Sequence, residues 1–211
     1  MDFIELNKKA WDSIAEKDKV INVYVGKNQN LLLKLFIEKL PENATVLDLG
    51  CGYGIPITKK LVECGFRVIG IDFSKAMIEK ARRNVPQAIF FQNSMTDISF
   101  NDEFDGIVSS FSMLCLDPMN FRVTCSKIRN ALKIGGFLIL FLNEPSPEGH
   151  REEDNITTVL GEQMYSRPYT ENEIRDAFGL GMDFLRVERE VSISNEYGEE
   201  HTLLMLMKKV S

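Results

Sequence analysis

The feature that most constrains this chain is the run Asp48-Leu49-Gly50-Cys51-Gly52-Tyr53-Gly54, set at the end of the apolar stretch Thr45–Leu49. A strand that runs straight into alternating glycines must turn tightly and leave its backbone open to a ligand. A helix is expected from Ile57, because Pro56 is tolerated in a first turn. The same rhythm then repeats. Phe66–Asp72, Ala88–Gln92, Phe104–Ser109 and Gly136–Asn143 are near-continuous apolar runs, as strands buried on both faces require. Helical stretches separate them, at Ser74–Asn84 with Ser74 as N-cap and from Asp117 to Leu132, closed by Gly135-Gly136. Strand and helix alternate from about residue 45 to 143, which predicts βαβ units and a parallel sheet with helices on both faces.

The flanks differ from this core. Residues 1–40 read as an amphipathic helical cap, with Phe3, Ile4, Trp11, Ile14 and Ala15 on one face and a second helix over Leu31–Leu40. Residues 144–169 hold three prolines and a charged cluster, and read as an insertion or lid without strong structure signals. Thr170 and Glu173 form a capping box ahead of Ile174 and Phe178. Phe184–Ile193 and His201–Lys208 read as an antiparallel hairpin. The expected organisation is one domain of 211 residues, with a cap (1–40), a ligand-binding core (41–143), a lid (144–169), and a terminal helix and hairpin (170–211).

Composition excludes several classes. Hydrophobic residues make up 44% and charged residues 27%, an ordinary globular balance. The net charge of −6 leaves no electrostatic footprint for duplex nucleic acid or an anionic membrane. Cys51, Cys64, Cys115 and Cys125 form no C-x-x-C pair, and His150 and His201 are the only histidines, so no metal site is expected. The start MDFIELNKKAWDS lacks the apolar core of a secretory leader, and a reducing cytoplasm is the expected compartment.

Glycine spacing bears on the ligand. A dinucleotide fingerprint needs glycine at position 55, where this chain has Ile. Asp72, at the end of the second strand, is placed to accept hydrogen bonds from ribose hydroxyls. With D-x-G-x-G-x-G complete at Asp48, Gly50, Gly52 and Gly54, the chain resembles the class I S-adenosylmethionine (SAM) methyltransferases. The resemblance extends to Asp72-Phe73, to Asn93-Ser94-Met95, to Phe104-Asp105 opening the fourth strand, and to the turn Leu132–Gly136 before the fifth. It implies a doubly wound α/β fold, with a seven-stranded sheet whose last strand is antiparallel. Ser94 stands where many members carry Asp, Ile134 where they carry Pro, and Cys115 where they often carry His.

The resemblance also implies roles. The loop Gly50–Gly54, with Cys51 as a small residue within it and Asp48 behind it, would take the methionine end of SAM. Asp72 would take the ribose, Phe73 and Met77 would flank adenine, and Asn93, Ser94 and Met95 would border it. Ser110-Phe111 would lie beside the sulfonium. Trp11 and Tyr24 are candidates to close the pocket, and Cys115, Tyr165, Arg167 and Tyr169 to line the acceptor side. No catalytic residue is fixed; Tyr24, His150 and Tyr165 are the candidates.

Missing motifs narrow the acceptor. Residues 109–112 read Ser-Ser-Phe-Ser, without the [DNS]-P-P-[YF] of amino-methylating nucleic-acid enzymes; no Pro-Cys pair occurs, and 109–116 hold no glutamate. A small-molecule acceptor is expected, its atom (O, N, S or C) and the oligomeric state left open. The alternatives are a protein or peptide methyltransferase and a non-catalytic SAM-binding regulatory or partner subunit.

Overall fold

Strand β1 (Thr45–Leu49) is the centre of the sheet, and every residue after Thr45 is buried. It pairs in parallel with β2 (Arg67–Asp72) on one side and with β4 (Phe104–Ser110) on the other. In the computed structural model, which describes residues 2–17, 26–146, 155–194 and 198–211, the seven-stranded order is β3-β2-β1-β4-β5-β9-β8. Here β3 is Ile89–Gln92, β5 Leu132–Asn143, β8 Met182–Ser194 and β9 Gly198–Lys209. Since β9 runs antiparallel to both β5 and β8, it is the one reversed strand among six parallel ones. This is the doubly wound α/β sheet with an antiparallel last strand that the sequence predicts.

Helices cover both faces for the reason the patterning gives. Leu32 and Phe36 of α2 (Lys27–Lys39) and Ile57 and Leu61 of α3 (Ile57–Glu63) pack with Val46, Val68, Val108 and Phe141. On the other face Phe121, Cys125 and Ile128 of α5 (Pro118–Ala131) and Ile174 and Phe178 of α6 (Glu171–Phe178) meet Leu47, Leu49, Ile107 and Leu140. Burying each such side chain contributes about 1.5–3 kcal/mol, so these contacts fix helix position far more firmly than the caps do. The caps are nonetheless as expected: Ser74 accepts from Met77 N at the start of α4 (Lys75–Asn84), and both halves of the Thr170–Glu173 box are made.

Two expectations are corrected. The 144–169 segment has more structure than its composition suggests: β6 (Ile156–Val159) and β7 (Glu162–Tyr165) form a hairpin. Its two-residue turn, Leu160-Gly161, has positive φ at both positions (51° and 85°), the geometry of a primed turn. Leucine is not a usual residue there, so the turn gave no signal. Strand β5 begins at Leu132 rather than Gly136, because a register shift between Phe104 and Gly106 lets Leu132 pair with Phe104.

Helix α1 (Phe3–Glu16) lies at the edge of this scaffold, against α4, β7 and the short 3₁₀ turn Met113–Cys115. Among the described residues no helix is long and apolar enough to cross a membrane.

Candidate active site

The strand order reverses between β1 and β4, so a crevice opens at their carboxyl ends, where ligands of such sheets bind. The glycine loop forms its floor. The Gly50 and Cys51 amides both donate to Ile71 O, at 2.8 and 3.0 Å, and this fastens the loop to β2. Gly50 sits at φ 78°, and a Cβ there would stand 2.2 Å from the Ser112 Cβ. Ser112 in turn donates its hydroxyl to Leu49 O at 2.7 Å. The segment after β4 therefore presses directly on the first glycine. Gly52, at φ 52°, is the opposite case: a Cβ there would meet nothing within 4 Å.

Two carboxyls stand behind the loop. Asp72, 7% exposed, accepts Gly52 N–H on Oδ2 and Ser74 N–H on Oδ1, each at 2.9 Å. Each oxygen keeps a lone pair, so the group can still accept from a diol. Burial pushes its pKa up to about 6, against the two amide bonds that pull it down. Asp48, 2% exposed, accepts the Thr58 hydroxyl at 2.5 Å, and burial, with Asp72 adding to it, pushes its pKa up to about 7. Two neighbouring acids held back from ionisation make a site that favours a cation. The same burial and the same two acids push the Cys51 thiol well up, so it stays protonated and is no nucleophile.

These features fit SAM. Asp72 offers two oxygens to a ribose, Gly52 leaves open backbone beside them, and the acid pair suits a ligand that bears an ammonium and a sulfonium. Phe73 is half-buried next to Asp72, Asn93 and Ser94 are connected through Ser94 N–H to Asn93 Oδ1, and Met95 is buried close to Gly50. Ser110 ends β4, and Phe111 follows at φ 52°, a strained value for a phenylalanine. Met77 is buried and packs with Ala10, Ile14 and Ala15 of α1.

Polar contacts that sequence reading missed fasten helix α1 to α4, to β7 and to the turn after β4. Asp12 Oδ1 accepts the Ser74 hydroxyl at 2.6 Å and the Ala76 amide at 3.1 Å, so α1 caps α4 next to Asp72. Asn7, 1% exposed, donates to Cys115 O and Tyr165 O and accepts from Tyr165 N–H. Trp11 is half-buried on the same helix, beside Met77 and Met164. Ser13 and Lys17 both bond Glu162 of the hairpin. Polar residues on an amphipathic helix normally face solvent, so nothing in the pattern marked Asn7 or Asp12.

Cys115, Tyr165, Arg167 and Tyr169 lie near the 3₁₀ turn that follows β4. Cys115 is buried and its thiol is pushed up to about 12 by desolvation. Tyr165 stacks on Phe3, with ring centroids 4.2 Å apart. Tyr169 stacks on Phe121 at 3.9 Å and donates its hydroxyl to Leu116 O at 2.6 Å, which anchors it in the core. Arg167 lies over the Tyr169 ring and pairs with Glu173 at 2.7 Å. Tyr24 and His150 lie outside the described residues. No group of three or more metal-ligating side chains comes together among the described residues.

Comparison with known proteins agrees with this geometry. Residues 46–136 match the family model described as a methyltransferase domain. Over these residues the chain is similar to methyltransferase domains. An uncharacterized methyltransferase of Synechocystis, sll0829, is 36% identical over 103 residues, 48% of each chain. The chain spans about half the length of the curated relatives it matches. Among solved structures, the fold is shared with the 1,6-didemethyltoxoflavin N1-methyltransferase of Burkholderia thailandensis, bound to its substrate and S-adenosylhomocysteine (TM-score 0.75, 18% identity, 100% of this chain and 90% of that one). It is shared equally with the N-methyltransferase NodS of Bradyrhizobium japonicum in complex with S-adenosylhomocysteine (TM-score 0.75, 15% identity, 98% and 100%). Within the domain, the matched residues take in the glycine loop, Asp72 and the segment after β4.

Proposed function

We propose that this protein transfers the methyl group of SAM to a small-molecule acceptor. The observation that carries the reading is the Asp72 carboxyl, held by the Gly52 and Ser74 amides and set beside open backbone at Gly52. Asp72 binds the ribose, Asp48 and Asp72 together favour the cationic end, and Phe73, Asn93, Ser94 and Met95 border the adenine. SAM supplies an activated methyl when bound, so the protein needs orientation more than acid–base chemistry.

The residues around the crevice suit that task. Ser112 holds the Ser110–Phe111 segment against Gly50, which fixes one wall. Helix α1 and the β6–β7 hairpin cover the crevice and exclude water. Cys115 stays protonated and takes no proton from the acceptor. A lid packed this closely, with Phe3 on Tyr165 and Asn7 between two chain segments, favours a compact acceptor over a protein chain.

The test is transfer of a labelled methyl group from SAM into a small-molecule extract and, separately, into a protein extract. Label in the small-molecule fraction is expected. Label in the protein fraction would replace this acceptor class by a peptide, and label in neither would leave a binding protein.

A further inference from the structure

We propose that Asp12 is a positioning residue of the cofactor site: through Ser74 it holds the Asp72 carboxyl in the orientation that receives the ribose. This rests on the methyltransferase reading of the crevice. The observation is a chain of three residues. Asp72, at the end of β2, accepts the Ser74 amide on Oδ1 at 2.9 Å. Ser74 is fully buried and is the N-cap of α4. Its hydroxyl donates to Asp12 Oδ1 of α1 at 2.6 Å, across 62 residues of sequence. The same carboxyl oxygen accepts the Ala76 amide at 3.1 Å.

The other polar groups of Ser74 are engaged nearby in sequence. Its hydroxyl oxygen accepts Met77 N–H at 3.1 Å, and its carbonyl accepts Ile78 N–H at 3.1 Å. The hydroxyl proton alone reaches a distant element. An N-cap serine needs just its oxygen for the cap, so the proton is left to find a partner of its own. At a fully buried serine that partner must come from the protein, and Asp12 supplies it. Without Asp12 the hydroxyl must turn toward another acceptor, and the residue that holds Asp72 loses its one outside support. A carboxylate also suits the place. The Ala76 amide is one of the donors that a helix start leaves unpaired, and the helix dipole favours negative charge there. Burial is the main cause of the raised Asp72 pKa, and the Asp12 charge adds to it, so the two carboxyls are within electrostatic reach. A ribose diol needs both Asp72 oxygens in place, and a small misplacement of an orienting group weakens what it holds.

The test compares the full chain with Asp12→Ala, Asp12→Asn, Ser74→Ala, and Asp12→Ala combined with Ser74→Ala. Each is followed by amide hydrogen exchange without ligand and by calorimetric titration with S-adenosylhomocysteine. Asp12→Ala should speed exchange of the Ser74 amide about tenfold or more while the sheet amides stay protected. It should weaken S-adenosylhomocysteine binding about five- to tenfold, as one lost hydrogen bond behind the carboxyl implies. Asp12→Asn keeps an oxygen acceptor for Ser74 and Ala76, so it should recover most of the affinity. Added to Ser74→Ala, Asp12→Ala should cost little more, because the route through the hydroxyl is already gone. If Asp12→Ala does not fold, Asp12→Glu, which carries its carboxylate one methylene further out, takes its place in the comparison. An unmoved Ser74 amide, unchanged affinity in folded Asp12→Ala, additive losses in the combined variant, or Asp12→Asn binding as weakly as Asp12→Ala would overturn the proposal. Failure of the wild type to bind S-adenosylhomocysteine would count against the methyltransferase reading instead, and the Ser74 exchange would still decide whether Asp12 holds this serine.

Discussion

At the carboxyl ends of β1 and β2 the polar contacts are short-range and mostly made by backbone. Gly52 N–H reaches Asp72, Ser74 N–H reaches the same carboxyl, and Gly50 and Cys51 hang from Ile71 O. Around α1 and the β6–β7 hairpin they are made by side chains across long stretches of sequence. Asn7 bonds Tyr165, 158 residues away, and Ser13 bonds Glu162, 149 residues away. The first region works by shape: glycines at positive φ and a carboxyl at a strand end. The second works by a few polar residues that fasten a separable element. Backbone shape tolerates little change, whereas a fastened element can open and close without unfolding the sheet.

The two regions should therefore respond differently to substitution. Gly50→Ala combines a left-handed backbone with a clash against Ser112, each costing about 1–3 kcal/mol. Denaturant unfolding should show a loss of roughly 2–5 kcal/mol. Gly52→Ala meets open space, so it should lose only about 1 kcal/mol of stability from its φ. Its methyl group would fill the open space at the glycine loop, so its SAM affinity should fall by more than its stability does. Equal stability losses in the two variants would break the shape argument.

Asn7→Ala removes three buried hydrogen bonds and leaves Tyr165 N–H, Tyr165 O and Cys115 O without that partner. The expected loss is about 2–4 kcal/mol. It should appear first as faster amide exchange in α1 and the hairpin while the sheet stays protected. Loss of protection across the whole sheet would show that α1 is part of the core and not a fastened lid.

The acid pair predicts a pH effect. Asp48 and Asp72 hold their protons to about pH 7 and about pH 6, above the ordinary aspartate value of 3.8. The folded state thus binds protons that the unfolded state has released, and stability falls as pH rises through this window. Without ligand, thermal stability should be lower at pH 8 than at pH 5 through these two groups, and SAM affinity should rise over the same range as the carboxyls ionise. Asp48→Asn should flatten the stability profile. An unchanged profile in that variant would remove Asp48 from the explanation. Ser13→Ala, which loses one partly buried bond to Glu162, is the mildest probe of the lid, at about 0.5–1.5 kcal/mol.

The same contrast explains what the sequence could reveal. The sheet, its reversed strand, the glycine loop and Asp72 were legible because apolar runs and glycine spacing encode them locally. Thr170–Glu173 was legible for the same reason. Asn7 and Asp12 were not, since their function depends on partners more than 60 residues away in sequence. The hairpin was hidden by leucine in a turn position that usually takes Asn, Asp or Gly. Tyr169 is anchored in the core by Phe121 and Leu116 O, two contacts that spacing does not show.

The most direct test of the central claim is calorimetric titration of SAM, and of NADH as a control, into the wild type and Asp72→Ala. Micromolar binding of SAM to the wild type, no binding of NADH, and a loss of about 100-fold or more in the variant are expected, as two hydrogen bonds to a charged group imply. SAM binding of equal strength in Asp72→Ala, or binding of NADH in place of SAM, would contradict it.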